Sequence, residues 1–322
     1  MKILIIRFSS IGDIVLTTPV VRCLKTQLDD SEIHYATKAQ YQSILENNPY
    51  VDKVFLLKEN FDELVGELKK EKYDVVIDLH NNLRTRILKW KLSVLSYSFN
   101  KLNIQKWLIV NFKINRLPDI HIVDRYLETA KPLGIKNDAL GLDYFIPEKD
   151  EVPWEWLPDS HRNGFVAYAI GAQHETKKLP VIRMIELCMK INRPIILLGG
   201  KEDVENAERV RTALENKNTN AQIFNSCGKF NLNQSASILK KADLVFSHDT
   251  GLMHMAAALK KEVYSIWGNT IPAFGMYPYR TKYHVLENAN LGCRPCSKIG
   301  FQKCPKGHFK CMNELKFDFV IR

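Results

Sequence analysis

Short runs of apolar, β-branched residues recur along this chain, with room for a helix between each pair. The first half carries KILIIRF, EIHYAT, KVFLL and YDVVIDL; the second carries GFVAYAI, RPIILLG, AQIFNSC, DLVFSH and EVYSIW. Most are apolar at successive positions rather than at alternate ones. A strand reads that way when helices cover both faces of its sheet, as in a parallel sheet. Helical patterns such as FDELVGELKKE, VIRMIELCMKI and QSASILKKA lie between the runs. Alternation of this kind predicts doubly wound α/β sheets.

The alternation occurs twice, and 322 residues suffice for two cores. Between the halves, residues 147–164 (PEKDEVPWEWLPDSHRNG) hold three prolines and a charge run, and read as an interdomain linker. The expected division is a first domain over residues 1–155 and a second over 156–322. Sheets of this type bind ligands at the carboxyl ends of their strands, so a cleft between the two domains is expected to hold the site.

Lys and Arg outnumber Asp and Glu by 46 to 36, a net charge of +10, which suits an anionic partner. Polar residues interrupt the amino-terminal apolar run before a secretory core could form, and no apolar stretch is long enough to span a bilayer. A cytoplasmic protein is expected, with its seven cysteines as thiols or metal ligands. There is no G-x-G-x-x-G after the first strand and no P-loop sequence, so hydride transfer and nucleotide hydrolysis lose their main support.

Four stretches follow strands and carry candidate chemistry. In IIRFSSIGDIVLTTPVVRCL, Gly12 would permit a sharp turn and Asp13 stands at a helix start; Pro19 should kink the helix that follows. Asp13 reads equally as an N-cap or as a general base kept ionised by the helix dipole. In FSHDTGLMHMAAAL, the turn at Asp249, Thr250 and Gly251 offers backbone N–H groups to a diphosphate, with His254 one turn on; an ordinary capped turn is the plain reading. In AIGAQHETKKLP, small residues precede Lys177 and Lys178, which fit a phosphate or a solvated loop. In LLGGKEDVENAE, Glu202 or Asp203 could accept hydrogen bonds from ribose hydroxyls.

In this order, the pieces resemble the ADP-heptose:lipopolysaccharide heptosyltransferases, glycosyltransferase family 9. ILIIRFSSIGDIVLTTPVVRCLK is similar to that family's opening, DTGLMHMAAAL to its second signature, and HIVDRYLETAKPLGI to the end of its first domain. GAQHETKKLP and GKFNLNQSASILKKADLVFSHDTG are similar to its nucleotide-side segments. The resemblance implies a GT-B fold, two Rossmann-like domains with the acceptor on the first and the nucleotide sugar on the second. It implies inverting transfer of a heptose or similar sugar from an ADP-sugar to the lipopolysaccharide inner core, with no cofactor required. Asp13 falls on the catalytic base. Ala172, Gln173, Lys177, Glu202, Phe230, Asp249, Thr250, Gly251 and His254 fall on the nucleotide-sugar side. Where the family usually has an aromatic residue, this chain has Leu179.

Ser9, Ser10, Gly12, Arg84 and Arg86 are the candidates on the acceptor side. Residues 79–118 contain no Asp or Glu, and interleave eight Lys and Arg with Trp90, Phe99, Trp107 and Phe112. Such a stretch suits either a solvated helical face or the anionic inner face of the cytoplasmic membrane, where a peripheral enzyme would meet a lipid-anchored acceptor. Nucleic acid is not an expected partner, because no RNA-binding signature accompanies it. The competing reading is a non-catalytic module that holds an anionic glycolipid or a nucleic acid.

Near the carboxyl end, Cys293, Cys296, Cys304 and Cys311 crowd together, the first pair two residues apart. Three readings stand: a structural zinc site, reduced thiols packing a loop, and a disulfide.

Overall fold

The computed structural model describes residues 1–321 except 216 and 218. The chain runs β1 (Lys2–Ile6), α1 (Ile11–Val15), α2 (Thr18–Gln27), β2 (Glu32–Lys38), β3 (Lys53–Leu57), α3 (Phe61–Lys70), β4 (Val75–Asp78), α4 (Leu83–Leu92), β5 (Leu95–Ser98), α5 (Asn103–Phe112) and α6 (Ile122–Leu127). It continues with β6 (Val166–Ala169), α7 (Val181–Ile191), β7 (Ile195–Leu198), α8 (Val204–Glu215), β8 (Ile223–Asn225), α9 (Leu232–Lys241), β9 (Leu244–His248), α10 (Gly251–Ala258), β10 (Val263–Trp267), β11 (Tyr283–Glu287) and α11 (Lys310–Asn313). All nine apolar runs form strands. The edge strands β5 and β11 are additional.

Two compact units result. The first comprises Met1–Lys101 and Ile120–Pro147; the second comprises Leu102–Asp119 and everything from Glu148 onward. Helix α5, which lies within the first half of the sequence, thus belongs to the second unit. There Lys113 Nζ donates to the backbone oxygens of Pro295 (2.8 Å) and Cys293 (3.2 Å).

The first unit holds a parallel sheet in the order β3-β2-β1-β4-β5. Strand β1 is central: Ile3 pairs with Ile33 on one side and Val75 on the other. Ile3, Leu4, Ile5 and Ile6 are completely buried. Each contributes about 1.5–3 kcal/mol by leaving water. Helix α3 shows why the flanking helices form where they do. Asn60 caps it by accepting from the amides of Asp62 and Glu63, and Leu64, Val65 and Leu68 face the sheet.

The second unit holds a parallel sheet in the order β11-β10-β9-β6-β7-β8. Strands β6, β7 and β9 are buried at every position. Helix α7 turns Met184, Leu187, Cys188 and Ile191 inward at helical spacing.

Three local expectations are corrected. Pro19 does not kink a helix. Helix α1 ends at Val15, and Pro19 sits in the first turn of α2, where its missing N–H would have had no partner anyway. Gly12 makes no sharp turn; it lies inside α1 and has no left-handed backbone. Residues 148–164 are not a free linker but part of the second unit. Asp150 accepts from the side-chain amides of Asn231 (2.9 Å) and Asn233 (3.0 Å), and the Val152 amide donates to Ser237 Oγ (2.9 Å). Asp150 and Glu151 of the charge run are thus held by α9 and its cap, Glu151 through Ser237 and Lys240.

Candidate active site

Each sheet has one place where the strand order reverses, and helices to either side of it leave a crevice at the carboxyl ends. In the first unit this falls between β1 and β4, and in the second between β6 and β9. The two strongest groups of candidate residues lie at these two points.

Asp13 is the third residue of α1, the helix that follows β1. Its Oδ2 accepts from the backbone N–H (3.2 Å) and hydroxyl (2.9 Å) of Ser10, and its Oδ1 pairs with Arg7 Nη2 at 2.7 Å. Ser10, not Asp13, is the N-cap of α1; Asp13 is its capping-box partner three residues on, and the same carboxylate also stands at the switch point. Arg7, at the end of the β1 run, is the residue the sequence reading missed. Its guanidinium donates to the carbonyls of Ser9 (2.6 Å) and Leu79 (2.5 Å) and to the Tyr126 hydroxyl (3.1 Å). Burial pushes the Asp13 carboxyl up, but the Arg7 charge and the Ser10 hydrogen bonds outweigh it and hold it below the ordinary value. Asp13 is therefore a carboxylate at neutral pH. An arginine interrupting a run otherwise buried on both faces was the available signal.

On the other side of this switch point, Asp78 Oδ1 accepts from the amides of His80 (3.0 Å) and Asn81 (2.7 Å), and Lys89 pairs with its Oδ2 at 2.9 Å. Burial and the charges of Arg7 and Lys101 push His80 down to about 4, so it is neutral. Burial also lowers Lys101, and the charges of Arg7 and Arg86 act in the same direction. Of the acceptor candidates, Ser9, Ser10 and Gly12 thus adjoin Asp13, and the Arg86 charge is felt at Lys101. Arg84 is exposed on α4.

In the second unit, Lys177 Nζ donates to Asp249 Oδ2 (2.6 Å) and to the Asp249 carbonyl (3.2 Å), bridging the loops after β6 and β9. Thr270, in the loop after β10, donates its hydroxyl to the same Asp249 oxygen at 2.9 Å. The lysine pair is not a solvated surface. Lys178 is buried and pairs with Asp203 (3.0 Å) and Glu175 (2.9 Å). The two lysines thus have different duties: Lys178 ties the loop to the β7 edge, and Lys177 faces Asp249. His248 secures the same junction. Its Nδ1–H donates to the Ile170 carbonyl (3.0 Å), and its Nε2 accepts from the Leu179 amide (3.0 Å). Burial holds this ring neutral, at about 3.

The remaining nucleotide-side candidates lie on neighbouring carboxyl-end loops. Ala172 and Gln173 share the loop of Lys177. Glu202 is exposed after β7, and Phe230 is half-buried after β8. Thr250 caps α10, Gly251 is its first residue, and His254 is buried one turn on.

The cysteine-rich segment braces these loops. Thr176 and Phe301 bond reciprocally: the Thr176 amide (3.1 Å) and hydroxyl (3.0 Å) donate to the Phe301 carbonyl, and the Phe301 amide donates back (2.8 Å). Gly300 has φ +133°, and a Cβ there would lie 2.5 Å from that of His174, so only glycine fits. Arg294 is buried and donates to the carbonyls of Gly268 (2.5 Å), Asn288 (2.6 Å) and Thr270 (2.9 Å) and to Glu287 (2.8 Å). It thereby fixes the loop that carries Thr270.

All seven cysteines are free. A tetrahedral zinc site holds sulfurs at about 2.3 Å from the metal, hence close to one another. Among the described residues, the one set of three ligand-type side chains within 4.8 Å is Glu32, His34 and Glu71, already engaged by Lys2 and Lys53. Cys293 approaches His308 at 3.9 Å, and among the described residues no three of the four sulfurs lie within 4.8 Å of one another. Cys311 lies in the core of the second unit, where burial pushes its thiol up to about 12.

The family model for glycosyltransferase family 9 (heptosyltransferase) matches residues 62–305. Lipopolysaccharide heptosyltransferase 1 of Campylobacter coli is 25% identical over 84% of each chain. A glycosyltransferase family 9 structure from Veillonella parvula superposes with a TM-score of 0.70 at 25% identity, covering 88% of this chain and 85% of that one. The Escherichia coli ADP-heptose lipopolysaccharide heptosyltransferase II structure gives a TM-score of 0.72 at 20% identity, covering 98% of both chains. The two parallel-sheet units are thus those of a GT-B fold, and the non-catalytic alternative loses its ground. With matched residues running through both units, this chain is a glycosyltransferase and belongs to glycosyltransferase family 9, the heptosyltransferase family.

Proposed function

We propose that this enzyme moves a heptose from ADP-heptose to the lipopolysaccharide inner core, with inversion at the anomeric carbon. The observation that carries the assignment of the chemistry is the Arg7–Asp13 pair at the first switch point. Asp13 takes the proton from an acceptor hydroxyl as its oxygen attacks the anomeric carbon. The bond from that carbon to the diphosphate breaks, and ADP leaves. Lys177 and the N–H groups at the start of α10 receive the negative charge of the leaving group, and no metal is required for this role. Asp249, held by Thr270, directs Lys177 rather than meeting phosphate itself. Ala172, Gln173, Glu202, Phe230, Thr250, Gly251 and His254 complete the nucleotide-sugar side.

Ser9, Ser10, Gly12, Arg84 and Arg86 bind the acceptor. Its acidic groups suit the cationic surroundings of Asp13, to which Arg7, Lys101 and Arg86 contribute. The enzyme works at the cytoplasmic membrane's inner face as a peripheral protein; among the described residues no helix is long and apolar enough to cross a bilayer. Nucleic acid is not a partner. Transfer from ADP-heptose to isolated inner-core acceptor, measured by mass spectrometry beside UDP- and GDP-sugars, tests the reading. Product with ADP-heptose alone supports it, and product only with another nucleotide overturns the donor assignment.

A further inference from the structure

Helix α4 presents an outward face unlike that of the other helices of the first unit. Leu83 is 74% exposed and Trp90 79% exposed, with Ile87 at 40% between them. These residues are spaced i, i+4, i+7 and form one stripe. Thr85 and Leu88 point the other way and are buried. Arg86 lies on one flank of the stripe, and Arg84 and Lys91 lie on the other. Neither Arg84 nor Arg86 forms an ion pair among the described residues, while Lys91 pairs with Asp62. Leu95, on the adjoining edge strand β5, adds a further exposed apolar side chain.

An indole this exposed gains nothing from water, and no packing role within the unit explains it. An apolar stripe bordered by cations is the pattern of a helix that lies in a membrane interface, with its aromatic residue at the headgroup boundary. The charge argument selects the kind of bilayer. Helix α4 itself carries Arg84, Arg86, Lys89 and Lys91 and no carboxylate, so its outward face complements anionic headgroups and not zwitterionic ones alone. We infer that α4 is the membrane-docking element of this enzyme, seating Leu83, Ile87 and Trp90 in an anionic bilayer, with Arg84 and Arg86 at the headgroup level where the lipid-anchored acceptor presents its acidic groups. This deepens, and rests on, the proposed peripheral placement.

The test uses the full chain and sucrose-loaded vesicles of phosphatidylcholine, with or without phosphatidylglycerol. The parent protein should pellet with the anionic vesicles, pellet poorly with phosphatidylcholine alone, and be released by salt. The double variant Leu83→Gln/Trp90→Gln should bind anionic vesicles about tenfold or more weakly, since it loses two apolar anchors without altering charge beside Arg84 and Arg86. Both positions are exposed, so its melting temperature and its turnover on a deacylated, water-soluble acceptor should match the parent. Undiminished vesicle binding by this variant overturns the inference, as does a loss produced only by Trp107→Glu on α5. A parent protein that ignores anionic vesicles but forms a dimer, which the double variant dissolves, also overturns it and makes a second copy the occupant. Failure of the parent on the soluble acceptor would count against the transfer reading and leaves the vesicle result to be judged alone.

Discussion

The two switch points use the same pair of charges to opposite ends. In the first unit, the Arg7 guanidinium is spent on protein: Asp13, two carbonyls and a tyrosine hydroxyl engage it. What remains for chemistry is the carboxylate. In the second unit the carboxylate is the anchor: Asp249 holds Lys177 and Thr270 together through one oxygen. What remains there is the ammonium group, two of whose three donors go to Asp249. An arginine suits the first duty because its planar fork satisfies several fixed acceptors at once, and a lysine suits the second because it acts as a point charge toward phosphate. An ion pair at a switch point therefore does not reveal its role by its presence; the partner with capacity left over does.

If this contrast is right, the largest single effect comes from the first unit. Asp13→Asn should lower turnover by about 10²-fold or more, the usual scale for a positioned base, while steady-state KM for the donor stays near that of the parent. Near-normal turnover would reduce Asp13 to the capping-box partner of Ser10 that it also is. Charge reversal at Arg84 and Arg86 should come next: acceptor kcat/KM falls about tenfold or more at low salt, and the loss shrinks as salt screens exposed charges. Equal losses in donor and acceptor parameters would break the division between the units.

Two smaller effects sharpen it. Thr270→Val removes one hydrogen bond to Asp249 and should raise donor KM by about three- to tenfold, with kcat less affected. Arg294→Lys should reproduce part of that shift without touching substrate, because one ammonium cannot satisfy four acceptors. A change confined to melting temperature would make both residues structural only. Finally, Arg7→Gln removes the cation that holds Asp13 below its ordinary value, so Asp13 should titrate higher. The acid limb of kcat/KM should move to higher pH in this variant. A depressed carboxylate stabilises the fold above its unfolded value of about 3.9, and that contribution is lost as pH falls through the folded value. An unshifted acid limb would detach Arg7 from the chemistry.

Much of this was legible in the sequence, for identifiable reasons. A run such as RPIILLG is buried on both faces, and its composition says so. The edge strands LSYS and YHVLE are half-exposed, and carry no such signal. Residues 102–119 join the second unit through contacts such as Lys113 with Pro295, which no local pattern encodes. Asp13, Lys177 and Asp249 were visible because each follows a strand in a small-residue turn. Thr270 and Arg294 were not, because they act through backbone carbonyls and a neighbouring carboxylate, and such partners leave no trace in residue type.

The central claim is that the working group is the carboxylate in one unit and the ammonium in the other. Calorimetric titration of ADP into Asp13→Asn and Lys177→Ala tests it most directly, since ADP carries the diphosphate but offers no acceptor. The account predicts parent-like affinity for Asp13→Asn and a loss of about 1.5–3 kcal/mol for Lys177→Ala, the range for a hydrogen bond to a charged group. Unchanged ADP affinity in Lys177→Ala, or an equal loss in both variants, would contradict it.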